Sequence, residues 1–169
     1  MSYNSKIVAS GRIIDTIDLR IAEILQANAR ETQADIARDV GLAPSAVLER
    51  IRKLEARGVI KGYTAQIDPH VIDQGTLAFV AVRSAEPLGD DNVGRLLANC
   101  AEVLEVHHVA GDDCYLIKVR ARDAEHLGQL LRMRFARMPG VRSTRTTVVL
   151  ETVKETSRMP IVRPEEVSS

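Results

Sequence analysis

The chain has 169 residues, with 23 Lys plus Arg against 23 Asp plus Glu and 45% apolar residues. That length holds one large domain or two small ones with modest cores, and a balanced charge argues against a protein that coats nucleic acid without selectivity. No apolar run approaches the ~20 residues of a membrane-spanning helix, and the start MSYNSKIVASGR lacks the apolar core of a secretion signal, so the cytoplasm is the expected compartment.

Residues 1–12 read as a flexible arm. A first helix begins near Asp15, a natural N-cap with Asp18 at the third helical position, while Ile14 and Leu19 stand where a hydrophobic staple closes. Ile17, Ile21, Ile24 and Leu25 then form an apolar stripe. Thr32 caps a second, short helix with Asp35 three residues on; Ile36, Ala37 and Val40 share one face before Gly41, which can end a helix left-handed. After Leu42 and Ala43, Pro44 suits a first helical position, and Val47, Leu48, Ile51 and Leu54 recur at helical spacing until Gly58. Two helices across a tight turn, with a third upstream, spell a helix-turn-helix domain over residues 13–62.

The other face of the last of these helices carries Ser45, Ala46, Glu49, Arg50 and Lys53, flanked by Arg52 and Arg57. Small leading residues let a helix N-terminus approach base edges, arginine can bond guanine bidentately, and basic residues further along meet phosphates. On charge alone this is a solvated face, partly neutralised by Glu49 and Glu55. The Gly41 turn, the Pro44 start and the Gly58 stop favour a reading helix, since a solvated face needs none of them.

From Gly62 the pattern changes: YTAQI alternates and Asp68-Pro69 interrupts it, which predicts a linker strand over 63–75. The order beyond is strand (77–83), helix (91–99), strand (103–109), strand (115–120), helix (124–138), strand (141–150). This is a ferredoxin-like βαββαβ domain over 76–153, making the whole chain α+β. Asp123 caps the second helix, whose Leu127, Leu130, Leu131 and Phe135 lie on one side, and Pro139-Gly140 stops it. The last strand places Thr144, Thr146, Val148 and Leu150 on one face. Two helices cover one side of such a sheet; the economical cover for the other is a second copy of the same sheet.

Cys100 and Cys114 are not in a Cys-x-x-Cys arrangement and read as reduced, structural thiols. His107 and His108 are adjacent, so a strand sends them to opposite faces and they cannot jointly hold a metal. No catalytic residues, metal site or phosphate loop stand at recognisable spacing, and no enzyme is expected.

Four ordered motifs, IDTIDLRIAEIL, LERIRKLEARGVIKGYTAQIDP, HHVAGDDCYL and MPGVRSTRTTVVLETVK, resemble the Lrp/AsnC, or feast/famine, transcription factors of bacteria and archaea over roughly residues 13–160. The resemblance implies a sequence-specific regulator that binds double-stranded DNA, through Ser45, Ala46, Glu49, Arg50, Arg52, Lys53 and Arg57, in the cytoplasm and associated with the nucleoid. It implies a homodimer formed sheet to sheet, assembling to a tetramer or octamer. It also implies a small-molecule effector, an amino acid, held between C-terminal domains, and no other cofactor. By the same analogy the effector residues are Val109, Gly111, Asp112, Asp113, Cys114, Thr146 and Thr147; from the sequence alone Asp112 and Asp113 are equally turn formers. The chain departs from the family at Ala43, where a serine usually caps the reading helix, and at Cys114, where many relatives carry an acid. An effector-independent architectural DNA-binding protein is the alternative. The tail, 154–169, carries Pro160 and Pro164, which oppose a regular helix.

Overall fold

The computed structural model describes residues 7–9, 12–87, 90–111 and 113–161. It divides into two compact units, one formed by residues 1–65 together with 155–169, the other by 66–154.

In the first unit a short antiparallel pair, β1 (Ile7–Ala9) and β2 (Arg12–Ile14), precedes three helices, α1 (Thr16–Ala27), α2 (Gln33–Val40) and α3 (Pro44–Ala56). Each helix starts and stops for a local reason. Asp15 accepts the Asp18 N–H at 2.8 Å and caps α1. Thr32 Oγ1 accepts the Asp35 N–H at 3.1 Å and donates to the Asp35 carboxylate at 2.6 Å, a reciprocal cap on α2. Gly41, at φ +68°, turns the chain left-handed, and the Leu42 N–H reaches back to Ala37 O at 3.0 Å. Ala43 gives α3 no side-chain cap, as expected of alanine, and Pro44 opens the helix instead. The apolar stripes of all three helices meet: Ile21, Ile36, Ala37, Val47, Ile51 and Leu54 are buried together. Side chains such as these contribute about 1.5–3 kcal/mol apiece when removed from water, which is what holds so short a helix as α2 in place.

The second unit is a four-stranded antiparallel sheet, β3 (Thr76–Ser84), β4 (Val103–His108), β5 (Tyr115–Ala121) and β6 (Val141–Val148), in the order β4-β5-β3-β6. With α4 (Asn92–Ala98) after β3 and α5 (Ala124–Gln129) after β5, this is the ferredoxin-like order. Ala78, Val80, Val82, Ile117 and Val119 form the helix-facing side and pack with Val93, Leu97, Leu127, Leu130 and Phe135. Gly94 lets α4 sit down on the sheet, since a Cβ there would lie 2.7 Å from the Tyr115 ring. The opposite side carries Phe79, Leu116, Lys118, Arg145 and Thr147, as the register Phe79↔Lys118, Phe79↔Thr147, Ala81↔Leu116 and Ala81↔Arg145 requires. Phe79 and Leu116 remain 36% and 37% exposed.

Four expectations are corrected. The arm at 1–12 is partly ordered: Ile7, Val8, Ile13 and Ile14 are β-branched, and their backbones pair; residues 1–6, 10 and 11 lie outside the described residues. The linker at 63–75 is no strand. Asp68 instead accepts the His70 N–H at 2.9 Å and the Gln74 N–H bonds Pro69 O at 2.7 Å, so the Asp-Pro pair makes turns. Strand β6 ends at Val148, and Leu150 beyond it is 99% exposed. The helix over 124–138 is not uniform, because α5 passes into a π turn, Leu130–Arg134, and then a 3-10 turn, Phe135–Arg137. The Phe135 N–H reaches Leu130 O, five residues back. That wider turn keeps Phe135 fully buried and leaves Arg134 outside, bonded to Glu102 at 3.0 Å.

Candidate nucleic-acid interface and effector turn

Ala46, Arg50, Lys53 and Arg57 recur every three or four residues along α3, hence on one stripe. With Glu49 and with Asp18 of α1 they line an open groove of about 310 Å³. Five of the seven residues expected to meet DNA are therefore brought together; Ser45 and Arg52 are exposed and stand outside the groove. Lys53 pairs with Glu49 at 3.2 Å, one helical turn away, and both are well exposed, so the pair holds little and opens readily.

Arg50 differs from its neighbours. One guanidinium nitrogen donates at 2.7 Å to Asp15 and at 2.7 Å to Asp18, and Asp18 is only 8% exposed. The bond to Asp15 raises the arginine's pKa above its ordinary value, against the opposing effect of partial burial. Partial burial pushes the Asp15 carboxyl upward, but the Asp18 N–H and Arg50 outweigh it and hold the carboxyl below its usual range. The arginine expected at a base edge thus ties the middle of α3 to the first turn of α1. The sequence held a signal for this: Asp15 and Asp18 are three apart on the first turn of a helix, where both carboxylates can serve one cation.

At the other candidate site Asp112 lies outside the described residues. Around it, Gly111 takes φ +129°, the Val109 N–H donates to Cys114 O at 3.0 Å, and the Cys114 N–H donates to Val82 O at 3.0 Å. The Cys114 sulfur is half-buried and accepts the Ser84 N–H at 3.4 Å. Asp113 accepts a 2.6 Å bond from Arg145 of β6, a partner no pattern in the sequence pointed to. Arg145 and Thr147 share the open side of the sheet. Thr146 does not: it stands opposite Val80, on the helix side. The expected effector set is therefore split, with Asp113 linked to the open side and Thr146 beneath it.

His107 bonds Glu105 at 3.1 Å on the open side, whereas His108 stacks on Tyr115 at 5.1 Å, so the two point apart. Cys100 and Cys114 are both free thiols.

Residues 14–61 match the family model described as winged helix-turn-helix DNA-binding, and residues 77–159 match the one described as the Lrp/AsnC ligand binding domain. The leucine-responsive regulatory proteins of Salmonella typhimurium and Escherichia coli are each 38% identical over 153 residues, covering 89% of this chain and 93% of the relative. Among solved structures, a transcriptional regulator from Neisseria meningitidis in complex with L-methionine has a TM-score of 0.81 at 26% identity, covering 87% of this chain and 96% of that one. The feast or famine regulatory protein of M. tuberculosis, also complexed with L-methionine, has a TM-score of 0.77 at 35% identity over 85% of this chain and 96% of its own.

Proposed function

This chain belongs to the Lrp/AsnC family of DNA-binding transcriptional regulators, and from that membership we propose that it reads operator DNA with α3 and alters transcription when an amino acid binds its C-terminal unit. The observation that carries the reading is the stripe Ala46, Arg50, Lys53 and Arg57 on a well-packed α3 opened by Pro44. Small Ala46 and Ser45 lead into the major groove, and Arg52, Lys53 and Arg57 meet phosphates or base edges. Glu49 releases Lys53 as the helix docks. Arg50 works from inside, setting the angle of α3 on α1 through Asp15 and Asp18.

Reading helices must come in pairs about one helical turn, ~34 Å, apart to engage successive major grooves. A homodimer supplies them. The open side of the sheet, with Phe79 and Leu116 half-exposed at its centre, is the surface we assign to self-association, with higher assembly to a tetramer or octamer built on that dimer.

The effector we assign to the turn from Val109 to Cys114, including Asp112, with Arg145 and Thr147 on the strand beside it. Relatives of this chain are complexes with L-methionine. Here a carboxylate of the turn meets the ligand ammonium, and backbone N–H groups or Arg145 meet its carboxylate. Thr146, on the other side of β6, contributes by packing only. The work is that of a regulator acting on DNA in the cytoplasm and nucleoid, with no catalytic step. A thermal-shift screen against the twenty amino acids tests the effector reading, because a ligand that binds only the folded chain raises its melting temperature with concentration. At least one amino acid, L-methionine among the first tried, is expected to stabilise the chain, and Asp113→Asn to weaken that effect. No shift with any of the twenty would leave a DNA-binding protein without an amino-acid effector.

A further inference from the structure

The segment after β6 does not stay with the unit that contains β6. Residues 155–161 belong to the first unit, where they are bound to the last turn of α1. The Gln26 side chain grips the Met159 main chain at both of its polar atoms: its Nε2 donates to Met159 O at 3.1 Å, and its Oε1 accepts the Met159 N–H at 2.7 Å. The Arg158 guanidinium donates to Ala27 O at 3.1 Å, one of the carbonyls that the end of α1 leaves without a helical partner. A cation at that end also meets the negative pole of the helix dipole. Neither contact depends on the segment's forming a regular element, which fits its proline content.

The chain of unit 66–154 is thus continuous with segments of the first unit at both of its ends. Just before its start, Tyr63, itself in the first unit, donates to Glu55 in the last turn of α3 at 2.9 Å. At its end, Arg158 and Met159 hold α1. Helix α1 has 12 residues, about 18 Å at 1.5 Å per residue. Its far end carries Asp15 and Asp18, which hold Arg50 of α3.

We infer that residues 155–161 are a second tether through which the C-terminal unit acts on the reading helix, by way of Gln26 and Ala27 at one end of α1 and the Asp15/Asp18–Arg50 bonds at the other. A single linker can pass only a pull or a slack to the reading head. Two attachments, one on α1 and one on α3, let a displacement between the ends of unit 66–154 change the angle between those helices. The regulatory part of this inference rests on the regulator reading above; the mechanical part does not.

Two measurements on the full chain separate them. The first is amide hydrogen exchange of the wild type and of Gln26→Ala/Arg158→Ala. The Met159 amide is expected to be protected in the wild type. In the variant it and the last turn of α1 should exchange about tenfold faster or more, with a smaller acceleration in α3. A Met159 amide unprotected in the wild type, or a freed tail that leaves both α1 and α3 unchanged, overturns the tether. The second is DNA affinity with and without L-methionine. The variant is expected to keep its L-methionine thermal shift while the ratio of the two affinities moves toward one; an unaltered ratio overturns the coupling role. A wild type that binds no DNA defeats the regulator reading, and the exchange result still decides the tether.

Discussion

Arg50 lies on α3 between Lys53 and Ala46, with its guanidinium turned toward α1. An exposed arginine on a reading helix is ordinarily a contact for DNA, but this one bridges Asp15 and the nearly buried Asp18. Removing it in Arg50→Ala leaves a carboxylate in a poorly solvated place without its cation, at a cost of about 1–3 kcal/mol. The variant should melt lower and bind DNA more weakly, with the salt dependence of binding unchanged, because no phosphate contact is lost. A salt slope reduced by about one would instead make Arg50 a phosphate ligand. The same cluster predicts a pH effect. The Asp15 carboxyl sits below its unfolded value of 3.8, so its contribution is fully present above that value and is lost as the pH falls through the lower, folded one. Asp15→Asn keeps an acceptor for the Asp18 N–H and loses the charge. It should be less stable than the wild type near neutrality, and the difference should shrink as the pH falls below the unfolded carboxyl value, read in thermal melts.

At the level of elements, most boundaries were legible because each is set by a residue with one job. Thr32, Gly41, Pro44, Gly58 and Asp123 begin or end helices where their chemistry predicts. The failures have physical causes of a different kind. The π turn after Gln129 arises from a choice between Arg134 and Phe135 for the buried position, which helical periodicity does not reveal. Residues 63–67 alternate like a strand but pair with no strand among the described residues, and alternation without a partner gives no ladder. The docking of Met159 on Gln26 depends on two segments far apart in sequence. Ala43 leaves α3 without a side-chain cap, and restoring an acceptor there makes a test: Ala43→Ser should stabilise α3 by about 0.5–2 kcal/mol, seen as a higher melting temperature without a change in the ligand-induced shift.

On the scale of the molecule, the family is carried by motifs spread over nearly the whole chain, and the two units each match a model of one function. The sites were less legible than the fold. Ala46, Glu49, Arg50, Lys53 and Arg57 were predictable as a group because a helix has a fixed period. The residues expected around an effector were not, because they come from a hairpin and from β6, whose alternation separates Thr146 from Thr147 and brings in Arg145 unannounced. Equal numbers of acidic and basic residues leave any selectivity to local patterning such as the stripe on α3.

Selection of bound duplexes from a random DNA pool tests that claim most directly, since it needs no prior operator. The account predicts enrichment of an inverted repeat whose half-sites are about one helical turn, ~34 Å, apart, and loss of that enrichment in Arg50→Ala. A pool that emerges bound but unenriched would contradict it, and would make the chain an architectural DNA-binding protein.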